Sequence, residues 1–454
     1  MAAAKTNSGF RSSLASLEGD KVVWMILFIL IMLSILALSS STPLLAIQEK
    51  TNRMTIALEQ VIVSLVGLGL IWLIYKYVDV GPLRWISKWM FVISLIPLLF
   101  LTLHLNIGFA RAARINGAWR AIKVFGFQVQ VFEFVKVFMV LYLSWAMNEL
   151  KHGKTEMAKR LAAKYPRLKW LSTEFGKCFF YVLVPMGITI LLEMRGSNSS
   201  AAILAIVMTV TVIIGGIKTK YVCGLVASVV LAVGLLFAVQ KVTGWEFLGR
   251  KMEAVSRVSD FKNDPIMRIR SVEKGTPEYY KVLDKVRQPM SAKVAVRDGG
   301  LIGKGIGKST QRYKTAVMYE DYMYSFIIEE YGLLGGIFVL MLYGSLLARG
   351  SLIVKSCDNL FAQTAVGGMV SLISGQAMLH IFVNARLMPL TGQNLPIVSH
   401  GISSFLAFSI AFGVILSISR MARKKMEKER AEAEPIIVTD DDLRDRLADL
   451  DAIE

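Results

Sequence analysis

Charge and sulfur are scarce in this chain. Asp, Glu, Lys and Arg make up only 19% of the 454 residues, which excludes a soluble globular protein of this length. Three cysteines, Cys178, Cys223 and Cys357, stand apart without CxxC spacing, so neither a disulfide framework nor a thiolate zinc site is encoded. The four histidines are equally dispersed and exclude a His-based metal cluster. No repeat at a solenoid period occurs, and no stretch has the make-up of a separate soluble domain. What is abundant is apolar: 54% hydrophobic residues and a mean hydropathy of +0.52 define a polytopic membrane protein.

Runs long enough to cross a bilayer core of about 30 Å fall at 22–40, 57–76, 88–105, 128–148, 176–193, 199–216, 221–240, 322–347, 361–383 and 403–419. The expectation is an all-α bundle of about ten transmembrane helices occupying 22–420. The first run is longer than a signal-peptide core and more spans follow it, so it reads as an uncleaved anchor. Residues 149–177 hold eight Lys/Arg against three acids, and the last span is followed by Arg420, Arg423, Lys424, Lys425, Lys428 and Arg430. Short basic segments stay inside, which places both termini in the cytoplasm: 1–21, and a polar, acidic, disordered tail at 421–454. The large loop 241–320, between spans seven and eight, is then outside. It carries 17 Lys/Arg against 9 Asp/Glu. The outer loop before span four is also basic, with Arg111, Arg114, Arg120 and Lys123. Two cationic outer loops suit an anionic ligand such as a phosphate or diphosphate, or contact with lipid headgroups.

Candidate chemistry concentrates in 299–336. A glycine-rich run ends in GKS, but Ile302 stands where a P-loop needs its first glycine, so a nucleotide cradle is excluded. The glycines fit a loop that approaches a ligand closely, or simply a flexible one. Asp321 opens span eight at the water boundary, where a carboxylate can act as a general base or cap the helix. Glu329 and Glu330 lie deeper and are expected to brace neighbouring helices. On span four Glu133 and Lys136, at i and i+3, share a face with Gln130 inside an apolar segment; they line a polar interior or lock two helices together. The stretch 384–404, with two prolines and two glycines between helices, reads as the wall of a polar cavity.

Together these stretches resemble the SEDS family of bacterial cell-wall membrane glycosyltransferases (FtsW, RodA, SpoVE). The outer-loop and span-four motifs appear as Asn116, Gly117, Ala118, Trp119, Arg120, Ile122, then Gln130, Glu133 and Lys136. A GGLxGxGxGxSxQ segment is met by Gly299, Gly300, Gly303, Gly305, Gly307, Ser309 and Gln311. The pattern around the family's aspartate matches Tyr319, Glu320, Asp321, Tyr322, Met323, Tyr324, Glu329, Glu330 and Gly332. The closing motif is carried by Pro389, Thr391, Gly392, Leu395, Pro396, Ser399, Gly401, Ser403 and Ser404. Departures are Val131 and Phe132 in the QPxE element, His400 for a tyrosine, Ile402 for a glycine, and Asn198 at the acidic position of the family's PDLGT segment.

The resemblance implies polymerisation of lipid II into glycan strands at the outer face of the inner membrane, with release of undecaprenyl diphosphate. It implies Asp321 as catalytic base and Trp119, Arg120, Lys123, Gln130, Glu133, Lys136, Gln311, Arg312, Asn384, Ser399, Ser403 and Ser404 around the substrate. Gly303, Gly305, Gly307, Glu329 and Glu330 would shape the site. No metal ligands are identified, although family behaviour suits a divalent cation, Mg or Mn. The N-terminal segment and the EEYG helix resemble the FtsW branch, which implies work at the division septum with a class B penicillin-binding protein and other division proteins, and no nucleic acid. A lipid II flippase and a non-catalytic scaffold for the transpeptidase remain as alternatives.

Overall fold

A computed structural model describes residues 18–115, 118–217, 221, 224, 269–315 and 318–433. Among the described residues, seven helices are long and apolar enough to cross a membrane, or eight if one bent pair counts as a span. In chain order they are α1 (Lys21–Ser41), α2 (Arg53–Tyr77), the bent pair α3 (Val80–Ser87) and α4 (Met90–Thr102), α5 (Val131–Lys151), α6 (Glu174–Met194), then, after the shorter apolar α7 (Asn198–Ile214) and the loop helix α8 (Pro277–Gly299), α9 (Met323–Lys355), α10 (Leu360–Asn384) and α11 (Ile402–Ala433). Nine of the ten expected runs coincide with these elements. The run at 221–240 apart from 221 and 224, all of 241–268, the tail from 434, and Asn116, Gly117 and Cys223 lie outside the described residues.

Lipid tails are as apolar as leucine, so such helices associate by packing and buried polar contacts. Burial sorts them into an inner and an outer set. The apolar stretches of α5 and α11 are 83% buried and that of α10 is 72% buried, whereas those of α2 and α9 are 33% buried and show large apolar side chains such as Leu58, Ile62, Leu334 and Met341 outward. Two of the inner three, α5 and α10, carry the buried polar groups Lys136, Gln376, His380 and Asn384.

The loop before span four is not irregular, which departs from a purely helical fold. It forms a four-stranded antiparallel sheet: β1 (Asn106–Ile107), β2 (Ala110–Ile115), β3 (Ala118–Val124) and β4 (Phe127–Gln130), in sequential order. Its last strand runs directly into α5, so that span begins at Val131 and not at 128. Part of the large loop between spans seven and eight is also ordered, as α8, which begins with Thr276 capping the amide of Tyr279.

Helix α9 is interrupted at Gly332, whose φ of 75° and ψ of −179° leave the helical region. The glycine-rich segment fills the break. Lys304 N donates to Glu329 O, Gly305 N to Glu330 O, and Leu333 N to Gly300 O, at 2.9, 3.0 and 2.9 Å. A Cβ at Gly332 would stand 2.2 Å from Leu301 O, and one at Gly303 would stand 2.3 Å from Glu330 O. These glycines therefore exist for backbone to meet backbone, and the reading of a loop that approaches a ligand is corrected.

At the far end of α9, Arg349 grips Asp20 through Nε at 3.0 Å and Nη2 at 2.5 Å, while the same aspartate caps the Val22 and Val23 amides of α1. Asp20 N in turn donates to Ser419 Oγ of α11 at 2.7 Å. Gly332→Ala is expected to lose about 1–3 kcal/mol through positive φ and collision. Gly344→Ala, on an open helical face, is expected to gain roughly 0.5 kcal/mol. Thermal unfolding of the two variants in detergent separates them by sign.

Candidate active site

The turn before α9 holds the acidic cluster. Asp321 lies in this turn, two residues before the helix begins at Met323, and is half-buried. Three successive carbonyls of the turn each accept a hydrogen bond from the end of α10 or the loop after it. His400 N donates to Tyr319 O at 3.0 Å, Ser399 Oγ to Glu320 O at 2.9 Å, and Asn384 Nδ2 to Asp321 O at 3.1 Å. Asn384 is itself fixed, its Oδ1 accepting from Ser325 N and Oγ at 3.0 and 2.7 Å. The backbone of the acidic turn is clamped.

The charges in the turn are uneven. Burial, with the adjacent Asp321 charge adding to it, raises the Glu320 carboxyl to about 7. Burial also raises the Tyr319 hydroxyl, helped by Glu320, Glu49 and Asp321. The His400 ring stands edge-on to Tyr319 at 5.6 Å, and burial lowers its basicity, with Glu49 opposing. A carboxyl whose acidity burial weakens, next to a second carboxyl, is a usual basis for a division into proton holder and proton acceptor. The loop after α10 passes close by: a Cβ on Gly392 would lie 3.9 Å from Asp321 Oδ1.

A second polar cluster lies behind that loop. Lys136 is 0% exposed, and its ammonium donates to Glu133 Oε1 at 2.9 Å, Gln376 Oε1 at 2.6 Å and Gln393 Oε1 at 3.3 Å. Gln393 continues through Nε2 to Ser200 Oγ at 3.2 Å. Gln393 follows Gly392 in sequence, so the Lys136 cluster and Asp321 flank one short stretch of wall. The i, i+3 acid–base pair of span four is present. With three acceptors around it the Lys136 ammonium has no hydrogen left for a phosphate, so it braces the site and does not hold substrate directly. Glu193, fully buried on α6, is in electrostatic contact with both Lys136 and Glu133, and neither of its carboxylate oxygens has a hydrogen-bond partner among the described residues.

Other expected residues divide between the sheet and the interior. Trp119 stacks on His104 at 4.5 Å and lies under the Arg114 guanidinium at 4.7 Å. Arg120 Nε donates to Gly196 O at 3.0 Å, joining β3 to the α6–α7 connection. Lys123 is on the sheet and lines a cavity with Arg111, not with Asp321. Ser403 Oγ accepts from Gln130 N at 2.9 Å and so ties α11 to the end of β4, with Ser404 buried beside it.

Gln311 and Arg312 are turned inward. Arg312 Nη1 donates to Ser40 O and Oγ at 3.0 and 2.7 Å and pairs with Glu330 at 3.8 Å, and Nη2 reaches Gly307 O. Glu330 accepts from Ser40 Oγ at 2.6 Å and from Gly307 N at 3.1 Å. Glu329 accepts from Thr310 N and Lys304 Nζ, both at 2.9 Å, and from Ser309 Oγ. These partners make Gly303, Gly305, Gly307, Glu329, Glu330 and Arg312 one internal brace, so Arg312 is not free to hold substrate.

Reading by residue type passed over Glu320, Glu193, Gln376 and Gln393. Glu320 carried a signal, since it fills a threonine position in the resembled pattern; the two glutamines carried none. Among the described residues no group of three or more His, Cys, Asp or Glu comes together to hold a metal.

A bundle with a broken helix, a clamped acidic turn at one end and a buried lysine–carboxylate cluster beneath it defines a multi-pass membrane protein with a polar site near one membrane face. Residues 20–424 match the family model described as cell cycle protein (FtsW/RodA/SpoVE). The chain belongs to that family. It is 25% identical over 314 residues to the probable peptidoglycan glycosyltransferase FtsW of Bacillus subtilis, covering 68% of this chain and 69% of that protein. To the protein of the same description from Hahella chejuensis it is 27% identical over 345 residues, covering 75% and 76%. A stretch of 130 residues is 37% identical to stage V sporulation protein E of Bacillus subtilis, covering 28% of this chain and only 36% of that protein. In fold it is similar to a chain from a peptidoglycan synthase complex that coordinates polymerization and crosslinking (TM-score 0.58, 20% identity, 89% of this chain and 98% of that one). It is also similar to the rod shape determining protein RodA of Thermus thermophilus (TM-score 0.52, 20% identity, 89% and 98%).

The Glu320 carboxyl makes a pH-dependent contribution to stability. Its folded value lies above the ordinary one of 4.5, so the fold favours the protonated form. That advantage is complete below about pH 4.5 and is lost as pH rises through about 7. Glu320→Gln cannot ionise. Its stability is expected to track the parent's near pH 5 and to exceed it near pH 8 by on the order of 2 kcal/mol, read as a higher thermal midpoint at pH 8 only.

Proposed function

We propose that this chain is a peptidoglycan glycosyltransferase of the FtsW type that polymerises lipid II. The observation that carries the reading is the acidic turn, whose three carbonyls are pinned while the Asp321 carboxylate stands half-buried next to the Gly392–Gln393 wall. The curated relatives described as probable peptidoglycan glycosyltransferases supply the reaction class.

Asp321 accepts the proton of the acceptor GlcNAc 4-hydroxyl as that oxygen attacks the muramyl anomeric carbon. The bond to the lipid diphosphate breaks, and undecaprenyl diphosphate leaves. Glu320, raised to about 7, keeps a proton beside Asp321 and prevents two full charges from meeting in the turn. The Lys136 cluster holds the wall opposite. A divalent cation suits this donor set only if it arrives with the diphosphate: Asp321 would supply a ligand, substrate phosphate and water the rest. Bound there, it would offset charge on the leaving group.

Orientation follows from the basic ends. Lys21, Arg349, Arg423 and Lys424 gather where α1 begins and α9 ends, which is the cytoplasmic end by the positive-inside rule. The 33 residues of α9 then carry Asp321 roughly 50 Å away, to the outer face. A class B penicillin-binding protein at the septum is the partner this reading implies, supported by the fold shared with a chain of a polymerising and crosslinking complex.

Purified protein given lipid II is expected to yield glycan strands on gels. Asp321→Ala is expected to lower the rate by about 10²- to 10⁴-fold with thermal unfolding unchanged. Strand synthesis surviving in that variant refutes the assignment, and lipid II crossing vesicles without polymer from the parent protein points instead to a flippase.

A further inference from the structure

Strands β2 and β3 set two cations directly opposite each other. The register pairs Asn106 with Arg111, Arg111 with Lys123, and Lys123 with Gln128, so one polar row crosses all four strands. Like charges opposite one another across a ladder repel. Residues 106–130 contain Arg111, Arg114, Arg120 and Lys123 and no Asp or Glu. Arg114 is engaged by Trp119 and Arg120 by Gly196 O. The side chains of Arg111 and Lys123 have no carboxylate or hydrogen-bond partner among the described residues. Both line a cavity of about 520 Å³, together with Asn106, Phe109 and Phe125. Two unneutralised cations on one cavity call for an anion.

The surroundings say what carries that anion. α4 ends at Thr102 and α5 starts at Val131, directly after β4, so the sheet has no slack with which to leave the membrane boundary. Its hairpin tips show Phe109, Phe125 and Phe127 at 61%, 79% and 74% exposure. Phe109 and Phe125 stack at 5.7 Å. Phe125 holds a φ of 47°, which a bulky side chain adopts only against strain, and at that exposure no core packing compensates. Exposed aromatics flanked by basic residues suit the interfacial zone of a bilayer.

We propose that this sheet is a lipid-binding finger: Phe109, Phe125 and Phe127 enter the leaflet on the Asp321 side, and Arg111 with Lys123 clasp the phosphate of an anionic phospholipid. The binding is independent of the reaction read for Asp321, so the failure of either leaves the other standing.

A local probe tests it. An environment-sensitive fluorophore on Phe125→Cys, in a Cys223→Ser background because Cys178 and Cys357 are buried, reads the finger in the full chain reconstituted in phosphatidylcholine vesicles. Emission is expected to shift to the blue as phosphatidylglycerol is added and to be quenched by brominated acyl chains. R111Q/K123Q is expected to need about tenfold more phosphatidylglycerol for the same shift, whereas R111K/K123R, which keeps both charges, is expected to behave as the parent. An R111Q/K123Q response equal to the parent's overturns the proposal, as does a probe that brominated lipid cannot quench. Inorganic phosphate that abolishes the shift also overturns it, by making the cavity a free-anion site.

Discussion

Backbone amides cannot remain unpaired inside a membrane, and this chain contains a break that would leave several so. The left-handed step at Gly332 interrupts α9, and the amides and carbonyls released there are taken up by the main chain of the glycine-rich segment. The substitute is backbone, so it must approach to contact distance, and side chains are excluded on both sides of the seam. Much of the outer half of the molecule follows from that repair. The segment that mends α9 also brings the amides of Gly307 and Thr310 to the buried carboxylates of Glu330 and Glu329. Arg312 then carries the same network across to Ser40 at the end of α1.

The short first half of α9 is therefore held at its inner end by the seam and at its outer end by the clamp on residues 319–321. Those two restraints do different work. The seam satisfies polar groups that would otherwise be stranded in an apolar medium, while the clamp satisfies carbonyls near water that could have been solvated. A fold that draws three donors from one distant segment to carbonyls with an alternative gains position more than stability. Position is what a general base needs, since misplacement by an ångström reduces a rate steeply.

Reading the chain as residues recovers different parts of this to different degrees. The spans were legible because length and hydropathy alone define them, and Glu133 with Lys136 because two charges at i and i+3 in an apolar helix admit few readings. Asp321 was legible by its place at the water boundary. The sheet was hidden because 106–130 drew notice by charge, and its β3–β4 turn is Phe125-Gly126, not one of the usual hairpin dipeptides. Helix α8 lacks an apolar stripe. The clamp joins residues 63 and 79 positions apart, a pairing no local pattern contains. The glycines were conspicuous, but what they approach is a helix far along the chain.

Gln393 shows how the two polar layers communicate. Its side-chain oxygen receives Lys136 and its backbone oxygen receives His380 Nδ1 at 2.7 Å, while the ring's other nitrogen faces the amide of Tyr324 at 3.4 Å, in the first turn of α9. One residue thus joins the buried ammonium to the helix that begins just after Asp321. Lys136 is surrounded by acceptors and in contact with Glu133 and Glu193, so its charge is answered locally and its reach is mechanical. Removing the ammonium would leave the Glu133 carboxylate and two glutamine oxygens without their shared donor, and Glu193 without the positive charge beside it, in an apolar interior where an unpaired polar group costs several kcal/mol. The relaxation would pass through Gln393 to Gly392 and the first turn of α9, so loss of Lys136 would displace the Asp321 carboxylate without touching substrate.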